Sequence, residues 1–274
     1  MLLLGCDFSS APTTRKPIVV AIGTVEGSDV VLDRLEHFQS LDEWSAWLQA
    51  TPEWIGGFDL PFGLPRELVE ELGWPLEWQS LIAHYAGLTR GEIRLAFSAF
   101  CAARPVGGKF AHRATDGPAG SSPSMKWVNP PVAFMLHAGV PRLLAAGAWF
   151  PGLQAVRGAS KRVALEAYPG MLAREVIGRR SYKSDDLKKQ TRDRAAARAD
   201  VLSALESGAT RLGLTLKLKE AQRISLLHDA RGDRVDAVLC LMQAAWAAVR
   251  KCKTAIGFGL PTGIDPIEGW ILMS

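Results

Sequence analysis

The chain predicts an α/β fold, with a mixed sheet, helices on both faces, and a large helical and loop insertion. Three observations predict it. Apolar runs at residues 1–8, 16–23 and 29–38 are joined by short turn segments, which makes an antiparallel meander. A helix-like segment and a further apolar run follow at Leu41–Ala50 and Trp54–Leu60, and such a strand-helix-strand unit normally closes as a right-handed parallel crossover. Acidic residues stand near the ends of separate apolar runs and in the first turn of the last long helix, where strand propensity and burial both disfavour them.

Each element has a local reason. Leu2-Leu3-Leu4-Gly5-Cys6 is apolar without alternation, as in a strand buried on both faces. Ile18 to Ile22 reads the same way, with turn material at Ser9–Thr14 and Glu26–Ser28. Leu41–Ala50 has helical spacing that puts Trp44 and Trp47 at apolar positions. From Pro61 to about Ser160 the pattern breaks into helices at Arg66–Leu72, Trp78–Ala86, Ile93–Ala102 and Val132–Ala146, around a loop from Arg104 to Pro131 rich in Gly, Pro and Ser. A loop this long is functional or disordered. It holds Lys109, His112, Arg113, Asp116, Lys126 and Trp127, and the Trp and aromatic content around it predicts an ordered, substrate-facing loop. The sheet resumes at Arg162–Tyr168, and helices follow at 170–179, 185–208, about 218–228 and Asp233–Arg250. The last carries Val235, Val238, Leu239, Met242, Trp246 and Val249 on one face. No repeat or low-complexity linker divides the chain, so a single domain over 1–274 with an insertion at 61–160 is expected.

With 274 residues, 48% of them apolar, the chain can bury a full core and is not of disordered composition. No apolar run approaches the roughly 18 to 20 residues of a membrane span, and Met1–Leu4 passes into Gly5-Cys6-Asp7 without a basic leader. Cysteines 6, 101, 240 and 252 lack paired spacing, which predicts a reduced, cytoplasmic protein with free thiols and no zinc site. The net charge of +4 is unevenly spread. Arg157 to Arg198 holds 12 Lys or Arg against 5 Asp or Glu, leaving −3 for the remainder. A basic stretch beside acids suits nucleic acid or another phosphate-bearing substrate, and it also describes a solvated helix face.

The acids are Asp7, Asp59, Glu166 and the pair Asp233 and Asp236. Each has a plain structural use. Asp7 can cap the following turn, Asp233 can cap its helix, and Glu166 can pair with an Arg of the insertion. Gathered together they require more. Two carboxylates about 4 Å apart repel by roughly 4 kcal/mol at an effective dielectric near 20, so a cluster of four or five needs a cation. All-oxygen ligation selects Mg²⁺ or Mn²⁺, and a pair of such ions supports phosphodiester hydrolysis. In that arrangement Asp7, Asp59 and Asp236 hold metal, while Asp233 or Glu166 completes a shell or positions water. Lys109, Arg113 and Lys126, or the stretch from Lys183 to Arg198, hold phosphates. His112 is a phosphate contact, a general acid or a surface residue, and Trp127 is the candidate for stacking on a base.

Three antiparallel strands, a helix, a strand and an acidic terminal helix form an order that resembles the ribonuclease H-like fold. Asp233-Arg234-Val235-Asp236 resembles the paired-Asp helix of Holliday-junction resolvases in that superfamily. Four segments, Gly5-Cys6-Asp7-Phe8-Ser9-Ser10, Gly57-Phe58-Asp59-Leu60-Pro61-Phe62-Gly63, Leu165-Glu166-Ala167-Tyr168-Pro169 and Asp233 to Val238, together resemble domain of unknown function family 429. That family is described as predicted ribonuclease H-like nucleases, so the resemblance implies a fold and a metal site rather than a substrate. Glu166 has no obvious counterpart in the minimal ribonuclease H arrangement.

Two other classes remain open from the residues. In an actin-like-fold phosphotransferase or ATPase, Asp7 to Ala11 would be a phosphate turn, although no P-loop is present and Gly257 to Gly263 lacks dinucleotide spacing. A binding module without chemistry would use the basic stretch and Trp-bearing surface as its interface. The five His residues show no metal-ligand spacing, and no G-x-S-x-G elbow occurs.

Overall fold

The apolar runs pair into a six-stranded mixed sheet in the computed structural model, which describes residues 1–155, 160–252 and 255–274. Strands β1 (Leu3–Asp7), β2 (Ile18–Glu26) and β3 (Asp29–Phe38) form the expected antiparallel meander. Helix α1 (Leu41–Ala50) then leads to β4 (Trp54–Asp59), which pairs parallel to β1, and β5 (Arg162–Glu166) pairs parallel to β4. A short strand that sequence periodicity does not reveal, β6 (Thr215–Lys217), adds parallel to the far edge of β3. The sheet order is β5-β4-β1-β2-β3-β6.

Helices cover both faces. One cluster joins Leu4 and Cys6 of β1, and Phe8 just after it, to Trp44 and Leu48 of α1 and to apolar residues of the insertion, among them Trp78, Phe97 and Phe150. The opposite cluster joins Leu3, Ile55 and Val163 to helices α7 (Pro169–Ile177), α8 (Arg192–Glu206) and α10 (Asp233–Ala248). The period of two along each strand produces this division. The insertion supplies α2 (Arg66–Glu71), α3 (Trp78–Gly87), α4 (Arg90–Ala102), α5 (Asp116–Ala119) and α6 (Val132–Ala145). Helix α4 starts three residues before its expected Ile93, because Thr89 and Glu92 close a capping box that satisfies its first N–H groups.

Three expectations need correction. Residues 185–208 are not one helix. A 3₁₀ turn at Leu187–Lys189 comes first, and α8 begins only where Thr191 accepts a hydrogen bond from the Arg194 N–H. The segment from Arg104 to Pro131 contains α5 and is anchored by buried Ala111, Ser124 and Met125. Helix α10 has no solvent face over most of its length, since Ala237, Cys240, Leu241, Ala244 and Ala245 are buried along with Val235, Val238, Leu239 and Met242 of the predicted stripe, while Trp246 and Val249 are partly buried. It lies between the sheet and α7, and near-complete burial follows from that position. A further helix, α9 (Glu220–His228), precedes α10.

Among the described residues no helix is long and apolar enough to cross a membrane. The thiols of Cys6, Cys101, Cys240 and Cys252 are free. Arg157, the first of the basic stretch, lies outside the described residues.

Candidate functional site

Asp7 and Asp59 are register partners at the ends of the parallel strands β1 and β4, so their side chains emerge side by side on one face. That face also carries Gly5 and Gly57, and helix α10 lies directly on both. A β-carbon at Gly5 would stand 2.1 Å from the Ala237 carbonyl oxygen and the Leu241 nitrogen, and one at Gly57 2.6 Å from the Cys240 carbonyl oxygen. The two glycines therefore set the depth to which α10 sinks onto the sheet. That depth brings the first turn of α10, with Asp233 and Asp236, up to the paired strand ends. Gly232, at φ +81°, starts the helix in a left-handed conformation that suits glycine.

The four carboxylates differ in enclosure. Asp236 is fully buried and Asp233 nearly so, while Asp7 and Asp59 are partly open to a cleft of about 480 Å³. Burial, then repulsion from Asp236, pushes the Asp7 carboxyl well above its ordinary range. Burial and the Asp236 charge likewise raise Asp59 to about 7, and burial with the neighbouring Asp229 raises Asp233 to about 6. Asp236 accepts from the Tyr182 hydroxyl on one oxygen and from the Lys183 ammonium on the other. The cleft is also lined by Lys16, Arg231, Ser9 and Ser10, and by an apolar wall of Phe8, Pro130, Pro131 and Met135. Lys16 is held at 2.8 Å by Asp185.

Glu166 is not in this cluster. Its register partner is Phe58, so it projects from the opposite face of the sheet, toward the insertion. There Arg113 grips it with two bonds of 2.7 and 2.9 Å, and the Phe62 N–H donates to it at 3.0 Å. The same guanidinium binds Asp116 and the Glu268 carbonyl, and its side chain is 2% exposed. Burial alone would lower the Arg113 pKa, but Glu166 and Asp116 raise it overall. This placement matches the salt-bridge use of Glu166 rather than a ligand role, and it leaves Arg113 no donor for a phosphate.

The other expected substrate contacts also lie elsewhere. Lys109 and His112 are exposed and Lys126 is partly buried, and none of them lines the cleft or the adjoining cavity of about 340 Å³ beneath Arg113. Trp127 is partly buried against the insertion's core, its ring 5.6 Å from Phe110 and 6.5 Å from Phe97, and it lines neither cavity. The long segment reaches the cavities through Arg113, Ser121, Ser122, Pro130 and Pro131. Of the expected basic residues, Lys183 alone borders the acidic cluster.

Sequence reasoning did not single out Lys16, Tyr182 or Arg231. Lys16 carried a readable signal, because it sits just before a buried strand whose start lies opposite the end of β1. Tyr182 and Arg231 lie in irregular segments whose positions depend on how α7, α8 and α10 pack. No family model, curated protein sequence or solved structure matches this chain.

The donor set suits a hard divalent cation. Carboxylates converge from three elements, and burial first, then repulsion from neighbouring carboxylates, raises the proton affinity of Asp7, Asp59 and Asp233. As they stand, no three His, Cys, Asp or Glu side chains among the described residues are gathered at metal-ligand spacing. The ammonium of Lys183 supplies the charge that touches Asp236.

Proposed function

We propose that this protein is a ribonuclease H-like phosphodiesterase that uses Mg²⁺ or Mn²⁺ on a carboxylate cluster to hydrolyse nucleic acid or a related phosphodiester. The observation that carries the reading is that Asp7, Asp59 and Asp233 line one cleft, with Asp236 buried close enough to repel the first two. The meander followed by a helix, a parallel strand and an acidic terminal helix supports the ribonuclease H-like part, as does the resemblance of the four motifs to family 429.

Asp7 and Asp59 would hold the metal, with Asp236 beneath them completing the shell. When bound, the metal supplies an activated water and charge stabilisation at the leaving oxygen. Asp233, at the rim, orients the incoming water. Lys16, Arg231 and Lys183 bind the non-bridging phosphate oxygens, and the wall of Phe8, Pro130, Pro131 and Met135 contacts the organic part of the substrate.

Hydrolysis of the chromogenic diester bis(4-nitrophenyl) phosphate tests the chemistry without knowledge of the natural substrate. Wild type is expected to turn it over with Mn²⁺ and not in chelator. Asp7→Asn is expected to lose at least about a hundredfold in kcat while remaining folded. Unchanged turnover in Asp7→Asn refutes the assignment. Stabilisation by ATP with Mg²⁺ and no diesterase activity would favour the phosphotransferase class instead.

A further inference from the structure

The Lys183 ammonium reaches Asp236, which is fully buried, yet the Lys183 side chain retains 42% of its exposure. One ammonium therefore stands against Asp236 and shares the cleft lining with Asp7 and Asp59, where a divalent ion would otherwise be needed.

The backbone that carries this side chain is clamped on every side. The Tyr182 carbonyl accepts from Arg198 at 2.7 Å, and the Lys183 carbonyl accepts from Arg194 at 2.9 Å and Ser181 at 3.0 Å. The Ser184 N–H donates to the Ala230 carbonyl at 3.0 Å, and the Ser184 carbonyl accepts from Gln190 at 3.0 Å. The start of the Lys183 stem lies over Gly232, where an added β-carbon would come within 2.7 Å of Lys183 Cβ. Beyond that point there is space, since Lys183 borders three cavities of about 480, 340 and 320 Å³ that all meet at Asp59. A fixed backbone with open volume on several sides allows one motion, rotation of the side chain.

We propose that Lys183 is the built-in counter-ion of the carboxylate cluster, and that a divalent cation enters by displacing its ammonium into the cleft. The proposal rests on the metal reading given above and adds how that site is kept before metal arrives. Lys183 holds the carboxylates together in metal-free protein and makes the cation compete for them. Once displaced, the ammonium stands in the cleft where a phosphate would bind, so metal capture and phosphate capture favour each other.

Calorimetric titration of Mn²⁺ into metal-free wild type, Lys183→Met and Lys183→Arg tests this, together with urea unfolding in chelator. Lys183→Met keeps the apolar stem and removes the charge. It is expected to bind Mn²⁺ about tenfold or more tightly than wild type, and to be less stable in chelator. Lys183→Arg keeps the charge and is expected to bind as wild type does. Equal or weaker binding by Lys183→Met, with wild type still binding, overturns the displacement and leaves the carboxylate site standing. Absence of Mn²⁺ binding in all three proteins up to millimolar concentration overturns the metal reading and this proposal with it. If Lys183→Met is unfolded in chelator, refolding on addition of Mn²⁺ counts as tighter binding, and failure to refold overturns the proposal.

Discussion

Replacing Asp59 with Asn should make the metal-free protein more stable, and the gain should depend on pH in a defined way. The native environment raises the Asp59 carboxyl from its ordinary 3.8 to about 7, through burial first and the charge of Asp236 second. Between those values the native state binds a proton that the unfolded chain has already released. Stability therefore falls as pH rises from about 4 to about 7, then levels off. At 1.36 kcal/mol per tenfold change in proton affinity, the ionised native state is disfavoured by about 4 kcal/mol at most. Asp59 keeps partial access to solvent in the cleft, so about 2 kcal/mol is the expected size. The neutral amide of Asp59→Asn removes that repulsion at similar volume. Urea unfolding in chelator at pH 5 and pH 8 should show a small difference from wild type at the lower pH and a gain of about 2 kcal/mol at the higher. Mn²⁺ should then stabilise wild type more than the variant. A variant less stable than wild type at pH 8, or a difference that ignores pH, would refute the picture of carboxylates whose burial and mutual repulsion one ammonium offsets only in part.

Two further substitutions probe the frame around the site. Arg113→Met should cost about 3–5 kcal/mol in urea unfolding, because Glu166 and Asp116 are left buried without their partner, and Arg113→Lys should restore little because one ammonium cannot reproduce the fork. A wild-type unfolding midpoint in Arg113→Met would show that the buried pair contributes nothing net. Gly5→Ala should cost about 3 kcal/mol or more, because the new methyl group meets backbone atoms of α10 that cannot rotate away, whereas Gly87→Ala, with open space around it, should be neutral or slightly stabilising. Thermal unfolding of the pair decides the point, and equal melting temperatures would refute the argument that Gly5 sets the seat of α10.

Much of this protein is legible one segment at a time. The meander, α1, β4 and α10 follow from runs of apolar residues whose length and spacing suit only one kind of element. Asp7 and Asp59 announce themselves because a carboxylate ending such a run conflicts with its surroundings, and Asp236 because it stands three residues after Asp233 in the first turn of the last helix. Glu166 carried the same signal and a different meaning. The sheet face it occupies is set by pairing register with β4, and its partner Arg113 lies 53 residues away, so only the assembled fold separates an ion pair from a cluster member. Trp127 and the loop around it show the same limit, since composition marks an ordered segment but not whether its aromatic faces inward. β6 is too short for periodicity and exists because the edge of β3 offers it hydrogen bonds. Local sequence thus determined the elements and the acids, whose propensities act over a few residues. Tertiary packing decided which acids share a cleft and that Lys183 stands among them, because those relations depend on register and on how closely α10 sits upon two glycines.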